Sequence, residues 1–592
     1  MNLVIEQKPE LAEYNATMIK NFKDKIHNGE LTIENVRNLT NLEFLQEFKI
    51  HKLQLTECIN IIPVLESCTI KELIIYDSEL QNIDEFQLEN LEILDISHNE
   101  DLQTKNIVKF DKLKQLDISY TNCTDISNLQ LPQLRMLNLR YNIIDDLSPL
   151  SNLVNLEELD LSGNQDIDIS PLQHLKQLRI LKLACCNLKN IKILKLLVNL
   201  VELDVSGNKN INFSAYMLQY LVNLKKLNIQ KTKTKNINEL KSLNNLERLD
   251  IQENNVTDLS VLKYLLNLTT LNLTQIKVKN IEILLQLEHL KELDLSQNPD
   301  IDFKPLQKMV QLQRLLLRSN SLSNITFLSG LINLQLLNLS DNKNLEIYPL
   351  QYLVNITNLV LSQCEISEIS SLRTLVNLEV LNISSNEIND IHHLQNLEKL
   401  TTLNICYNCI KDISILKQFK YLKKLYLCGN YGVSITPLQY VTQLTYLSLH
   451  ECELYEISAL RPLVNLEFLD ISKNNIFNFY PIRDLDAEVN VSWNLIVESS
   501  DFFTFFDVEN ISDFIHKQPN NQQSVLAEKM KTVDQSTQFI RDTNSRRKNF
   551  QLQKYIVKDI LISQKVKQHE ILQSLTNKAV WLFSLLNEEC CQ

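Results

Sequence analysis

The chain has 592 residues, 44% of them hydrophobic, and its 72 acidic and 59 basic side chains leave a formal charge of -13. Length and apolar content of this order support a large buried core and exclude a disordered or collagen-like polymer. None of the 6 glycines precedes a lysine and none forms G-x-G-x-x-G, so Walker-type phosphate loops and dinucleotide fingerprints are excluded as well.

Met1 to Lys8 carries no basic flank followed by an apolar stretch, and the most apolar short run, Ala579 to Leu586, is far below the roughly 18 residues that span a bilayer. The reading is of a soluble intracellular chain, expected in the cytoplasm with the nucleus left open. Residues 1–27 are expected to form an N-terminal helical cap. Leu11, Tyr14, Met18, Ile19, Phe22 and Ile26 follow helical spacing, Pro9 stands in a first turn, and Asn28-Gly29 supplies the stop.

Residues 28–494 then carry a repeat, entered through a degenerate coil with Leu31, Ile33 and Val36. Its pattern, Leu-x-x-Leu-x-Leu-x-x-Asn, is clear in Leu156-Leu159-Leu161-Asn164, Leu246-Leu249-Ile251-Asn254 and Leu378-Leu381-Ile383-Asn386. The first position recurs from Ile50 to Leu466 in 20 coils, and from Leu224 onward every step is 22 residues. In each coil, x-Leu-x-Leu-x predicts one short parallel strand, because apolar residues two apart point together into a core while those between face outward. Segments such as Asp145-Asp146-Leu147-Ser148-Pro149-Leu150 are too short for a full α-helix and predict 3₁₀ or single-turn pieces on the opposite side.

The recurrent asparagine sits where the chain leaves the strand. Its amide can serve backbone groups of neighbouring turns that burial would otherwise leave without partners. Asn164, Asn208, Asn254, Asn298, Asn342, Asn386, Asn430 and Asn474 therefore form an expected structural ladder on every second coil. The coils between hold Cys186, Thr232, Ile276, Asn320, Cys364, Asn408 and Cys452 at that position, a double-coil period of 44 residues.

This pattern, with its Asp-Ile-Ser-Pro-Leu and Leu-x-Asn-Leu phrases, resembles the short 22-residue leucine-rich-repeat class. That class is found in the nuclear regulatory subunit of protein phosphatase-1 and in bacterial internalins. The resemblance covers about 450 residues. Phrases such as Ile70-Lys71-Glu72-Leu73 are also similar to multi-copy intracellular leucine-rich-repeat families of unicellular eukaryotes. The resemblance implies an α/β leucine-rich-repeat solenoid: a curved right-handed superhelix with a concave parallel β-sheet, convex 3₁₀ or short helical segments, and helical caps. It implies protein binding without singling out a partner.

Residues 495–519 are expected to close the far end as a hydrophobic cap through Phe502, Phe503, Phe506, Phe514 and Ile515. Residues 520–592 carry 11 Lys or Arg and 7 Asp or Glu and read as a basic, mostly helical tail. Such a tail suits packing on the acidic body or a loosely attached helical region, an oligomerisation or coiled-coil partner helix, or binding to a membrane surface.

With no signal peptide, the cysteines are expected reduced, and Cys186, Cys364 and Cys452 are read as small buried residues. Cys406, Cys428 and His450 share one outward position in three successive coils, a set of ligand types that zinc accepts. No fourth ligand stands near, so the three remain bare candidates; no metal and no cofactor is assigned. Cys406 and Cys428 are also candidates for a redox-sensitive thiol pair.

The residues projecting from the strands carry the partner information. Asp95, Asp117, Asp160, Asp204, Asp250 and Asp294 alternate with Asn138, Asn228, Asn272 and Asn338 as a solvated acidic and amide row. Toward the C-terminal coils this row and its neighbours become aromatic, and Tyr407, Tyr426, Tyr446 and Phe468, beside His450, Glu451 and Lys473, form the expected protein-binding surface. Tyr141, Arg140, Arg314 and Arg318 are secondary contacts. The 10 histidines are scattered and no nucleophile has an activating motif, so no catalytic residue is assigned and the chain is read as a non-enzymatic scaffold. The acidic body disfavours nucleic acid. Two further readings follow from the resemblance: a subunit directing a phosphatase catalytic subunit, and a secreted or surface adhesin of internalin type.

Overall fold

A computed structural model describes residues 3–4, 30–34, 50–57, 65–66 and 69–494, the last stretch with short gaps at 85, 101, 103–106, 212–214 and 477. The helix expected from Pro9, the cap at 495–519 and the tail at 520–592 lie outside the described residues. Within the expected N-terminal cap, Leu3–Val4 is a strand, not a helix, and pairs parallel with Glu30–Glu34. The chain divides into two compact units, residues 1–342 and 343–592.

Each unit is a stack of coils, and each coil contributes one strand to a parallel sheet. In the first unit the sheet runs from Leu3–Val4 to Leu336–Asn338; in the second it runs from Asn358–Val360 to Glu488–Asn490. The register never slips: Glu158, Leu159 and Asp160 pair with Ile180, Leu181 and Lys182, and those with Glu202, Leu203 and Asp204. A one-residue slip would turn every buried leucine outward, so the alternation of the sequence locks the pairing. Leu159, Leu181 and Leu203 are buried while their flanking residues stay half-exposed.

The return path of each coil is 3₁₀, for a reason visible in the spacing. Leu147, Leu150, Leu153 and Leu156 recur every three residues, are all buried, and are linked by N–H···O bonds of 3.0, 2.9 and 3.0 Å from each leucine to the one three before it. Three residues per turn eclipses side chains three apart, so a period-3 apolar row buries itself in a 3₁₀ helix and would spiral off an α-helix. Entry is fixed by a carboxylate or amide two residues ahead. Asp146 accepts from the Ser148 N–H at 2.8 Å and its hydroxyl at 2.8 Å, and Asp168 does the same for Ser170. These hydrogen bonds hold both carboxyls below the usual carboxylate range.

A second set of asparagines ties coils together on this side. In the Leu-x-Asn-Leu phrases, Asn199 donates to the Lys176 carbonyl at 2.8 Å, Asn267 to that of Asn244 at 2.8 Å, and Asn377 to that of Val354 at 2.9 Å. Each satisfies a carbonyl at the end of the preceding coil's 3₁₀ segment.

Candidate functional site

The buried asparagine ladder shows what each coil demands at the strand exit. Asn386 Oδ1 accepts the N–H groups of Cys364 and Ile366, both at 3.0 Å, while its Nδ2 donates to the carbonyls of Leu361 at 2.8 Å and Ile383 at 3.0 Å. Asn164, Asn298, Asn342 and Asn474 repeat this pattern, always reaching back one coil. Where the ladder holds cysteine, the thiol takes over one donor role. Cys186 Sγ lies 3.2 Å from the Leu161 carbonyl and Cys452 Sγ 3.3 Å from that of Leu427. Burial pushes these thiols up to about 12 and about 11, out of the reactive range.

The residue just before each ladder position has a left-handed backbone, for example Tyr120 (φ 55°), Tyr141 (φ 50°), Tyr407 (φ 51°), Glu451 (φ 59°) and Lys473 (φ 50°). The chain must turn sharply there to leave the sheet, and glycine takes the position at Gly163, Gly207 and Gly429. Side chains on this column leave the strand face and line its rim.

That geometry divides the aromatic site expected in the second unit. Tyr426, Tyr446 and Phe468 stand on three adjacent strands and stack, with ring centroids 4.8 and 4.7 Å apart. All three are half-exposed on the strand face. Burial, and after it Tyr426, pushes the Tyr446 phenol up. Tyr407 does not join them. It lies on the rim, 46% exposed, against Gly429. Glu451 is also on the rim and gathers His450 Nε2 at 3.6 Å, Lys473 Nζ at 3.8 Å and the Tyr431 hydroxyl at 3.1 Å. His450 Nδ1 is 2.7 Å from Ser472 Oγ. Tyr431 belongs to this cluster and escaped the sequence reading because it lies past the ladder asparagine, where no repeat position marks it.

The cysteine column is corrected by the structure. Cys406 and Cys428 form a disulfide across adjacent coils, with Cα atoms 4.5 Å apart, so the expectation of reduced cysteines fails at this pair. Successive parallel coils bring equal positions to about one strand spacing, inside the range a disulfide spans. The two sulfurs are spent on each other, which removes Cys406, Cys428 and His450 as a ligand set. Among the described residues no group of three or more histidine, cysteine or carboxylate side chains is arranged to hold a metal ion.

In the first unit, the acidic and amide row lies on the strand face as hydrogen-bonded Asn–Asp pairs between neighbouring strands. Asn138 Nδ2 donates to Asp117 Oδ2 at 2.7 Å, Asn228 to Asp204 at 3.1 Å and Asn272 to Asp250 at 3.0 Å. Each Asp or Asn also accepts the backbone N–H two residues on, as in Asp204 with Ser206 at 2.8 Å and Asn272 with Thr274 at 3.0 Å. Two grooves of about 370 Å³ open on this face, one along residues 72–182 and one along 202–316. Arg314 lines the second groove, Arg318 pairs with Asp341 at 2.5 Å, and Arg140 lies 5.0 Å from the Tyr141 ring. Tyr141 itself ends a stack that repeat alignment had not revealed: Tyr76, His98, Tyr120 and Tyr141, with centroids 4.7, 4.2 and 4.8 Å apart.

The sequence pattern described as Leucine Rich repeats (2 copies) matches residues 111–152 and 132–174. Among solved structures, TLR13 in its complex with ssRNA13 is 22% identical over 80% of this chain and 82% of that one, with a TM-score of 0.56. A leucine-rich-repeat protein of Leptospira interrogans is 24% identical over 66% of this chain and 95% of that one, with a TM-score of 0.46. An internalin of Listeria monocytogenes is 22% identical over 66% and 89%, with a TM-score of 0.30. No curated protein matches the sequence.

Proposed function

We propose that this chain, a leucine-rich-repeat protein, is a non-enzymatic scaffold that binds a protein partner on the strand face of residues 343–494. The observation that carries the reading is the stack of Tyr426, Tyr446 and Phe468, three half-exposed aromatic rings on adjacent strands. Aromatic side chains bring large contact area at low entropic cost, and on a rigid sheet they are already ordered before a partner arrives. Glu451, His450 and Lys473, with Tyr407 and Tyr431 on the rim, supply the polar surround that hot spots require.

The partner class is protein. The RNA named for the TLR13 structure does not transfer, because the strand-face groove along residues 72–182, lined by five carboxylates and one lysine, repels a phosphate backbone. We place the protein in the cytoplasm. The buried thiols of Cys186 and Cys452, each bonded to a backbone carbonyl, support that compartment, against the one disulfide among the described residues, Cys406–Cys428; among those residues no helix is long and apolar enough to cross a membrane.

The test is capture from native lysate with wild type and with the Tyr426→Ala, Tyr446→Ala double variant, followed by direct titration of the captured protein. Loss of about 2 kcal/mol or more in binding, with an unchanged melting curve, is the expected result. Equal binding by a folded double variant removes the site assignment.

A further inference from the structure

We propose a second docking surface in the first unit: the strand face of residues 72–160 takes an extended, lysine- or arginine-rich segment of a partner protein. This surface goes beyond the aromatic site of the second unit and shares no residue with it.

The groove floor carries Glu72, Asp95, Asp117, Glu158 and Asp160, and the one cation lining it is Lys182 at its far end. The three aspartates are held by neutral donors. Asp95 Oδ1 accepts the Ser97 N–H at 3.0 Å and its hydroxyl at 2.6 Å, and Asp117 Oδ1 accepts the same groups of Ser119 at 2.9 and 2.6 Å. Asp117 Oδ2 takes the Asn138 amide at 2.7 Å, and Asp160 accepts the Ser162 N–H at 2.9 Å. Among the described residues, the floor carboxylate with an ion pair is Glu72, 2.6 Å from Lys52. The groove along 202–316 is different: Lys226, Arg248 and Arg314 project into it, and Lys226 already holds Glu202 at 2.7 Å. The first groove thus sets five carboxylates against one lining cation and the second five against three, so the larger excess of negative charge lies in the first. There it complements a cationic ligand, and burial together with Asp117 already pushes the Asp95 carboxyl up.

A second feature falls on the same coils. The stacked rings of Tyr76, His98, Tyr120 and Tyr141 run along the rim beside Asp95 and Asp117. Arg140, the chain's own guanidinium, rests 5.0 Å from the last ring, so this rail receives a cation in the structure itself. Lysine and arginine place apolar stems along such rings while their heads reach carboxylates. Ile93 and Met136, half-exposed between the acids, offer contact to apolar residues of the same segment. Crossing four coil spacings of about 4.8 Å with an extended chain takes roughly six residues, a length that fits a linear motif.

The chain itself supplies fold-neutral variants. Asn138, Asn272 and Asn382 occupy the aspartate position and make the same bond to the backbone N–H two residues on. The experiment titrates the full chain into a short fluorescein-labelled peptide of alternating lysine, valine and serine, and into its glutamate counterpart, with circular dichroism melting as the folding control. The lysine peptide should bind, weaken with salt, and bind about tenfold or more weakly to the Asp95→Asn, Asp117→Asn double variant. Tyr120→Ala should weaken it severalfold, and Asp250→Asn, Asp294→Asn in the other groove should leave it unchanged. If the double variant melts early, Asp117→Asn alone is the test, with a severalfold loss expected. No binding of the lysine peptide, equal binding of the glutamate peptide, or an equal loss from the two grooves overturns the proposal.

Discussion

The ring of Tyr141 lies against the α-carbon of Gly163 in the next coil, so that a methyl group at Gly163 would stand 2.6 Å from Cδ1. Tyr407 lies on Gly429 in the same way. Both glycines also have positive φ, +83° and +67°. Gly432 separates the two effects, since it has φ +72° but nothing within 4 Å of an added Cβ. Gly432→Ala should therefore cost about 1 kcal/mol from the backbone alone. Gly163→Ala and Gly429→Ala should cost about 2–3 kcal/mol, because the ring must also leave its place. Thermal unfolding of the three variants checks the order; equal losses would show that the rings yield freely.

Asn386 offers a sharper test of what joins one coil to the next. Its side chain makes five hydrogen bonds of 2.8 to 3.1 Å to backbone groups of Cys364, Ile366, Leu361, Ile383 and Ser384. Asn386→Ala leaves buried donors and acceptors open and should cost about 2–4 kcal/mol. Asn386→Thr should cost less, since Thr232 in the same position donates to the Ile229 carbonyl at 2.8 Å. Hydrogen exchange should rise first in the strands Asn358–Val360 and Val380–Asn382, because each coil leans only on its neighbours. Protection unchanged in those strands would contradict the bridging role.

The sequence made the coil legible because its leucines and asparagines are buried at a fixed period, and burial is what imposes the pattern. Those same residues face inward, so they carry no information about a partner; the resemblance to a phosphatase regulator rests on them. The strand-face aspartates were legible through alternation. The aromatic rail was not, since Tyr76 stands one repeat position before His98, Tyr120 and Tyr141, and only the left-handed turn brings the four rings into line. The same turn moved Tyr407 away from Tyr426, which shared its label as a surface aromatic but not its face. Repeat spacing brings Cys406 and Cys428 together and marks them as a thiol pair, but whether such a pair is bridged depends on the redox compartment, which residue spacing does not encode. The division after Asn342 has no mark in the period, as Leu334 and Ile356 keep the usual 22-residue step.

Acid should treat two kinds of aspartate oppositely. Burial, reinforced by Asp204 and Asp294, pushes the Asp250 carboxyl up despite its bonds to Gln252 and Asn272. A raised folded pKa means that the stability this group contributes is present below the ordinary carboxylate value and lost as pH rises through the folded one. Asp250→Asn should then raise the melting temperature by a degree or so at neutral pH and by nothing in acid. Asp146, whose carboxyl the Ser148 N–H and hydroxyl hold down, contributes above the ordinary carboxylate value and loses that contribution as pH falls. Asp146→Ala should lower the neutral melting temperature and spare the acid one. Melting curves across pH check both signs, and a gain from Asp250→Asn that persists in acid would mean packing, not charge, is responsible.

Cysteine labelling tests the bridge and the ladder together. Cys185 and Cys409 are exposed, whereas Cys186 and Cys452 are buried with thiols pushed up to about 12 and about 11. Iodoacetamide added to native, unreduced protein should alkylate Cys185 and Cys409 and leave Cys186 and Cys452 untouched until denaturant is present. Cys406 and Cys428 should appear as one linked peptide, and each should accept label after dithiothreitol. The bond joins the coil that carries Tyr407 to the one that carries Tyr426, so reduction should raise hydrogen exchange in Thr402–Asn404 and Lys424–Tyr426 without unfolding the unit. Alkylation of Cys428 before reduction would show the pair open, and the sulfurs would return to the role of a reducible thiol pair.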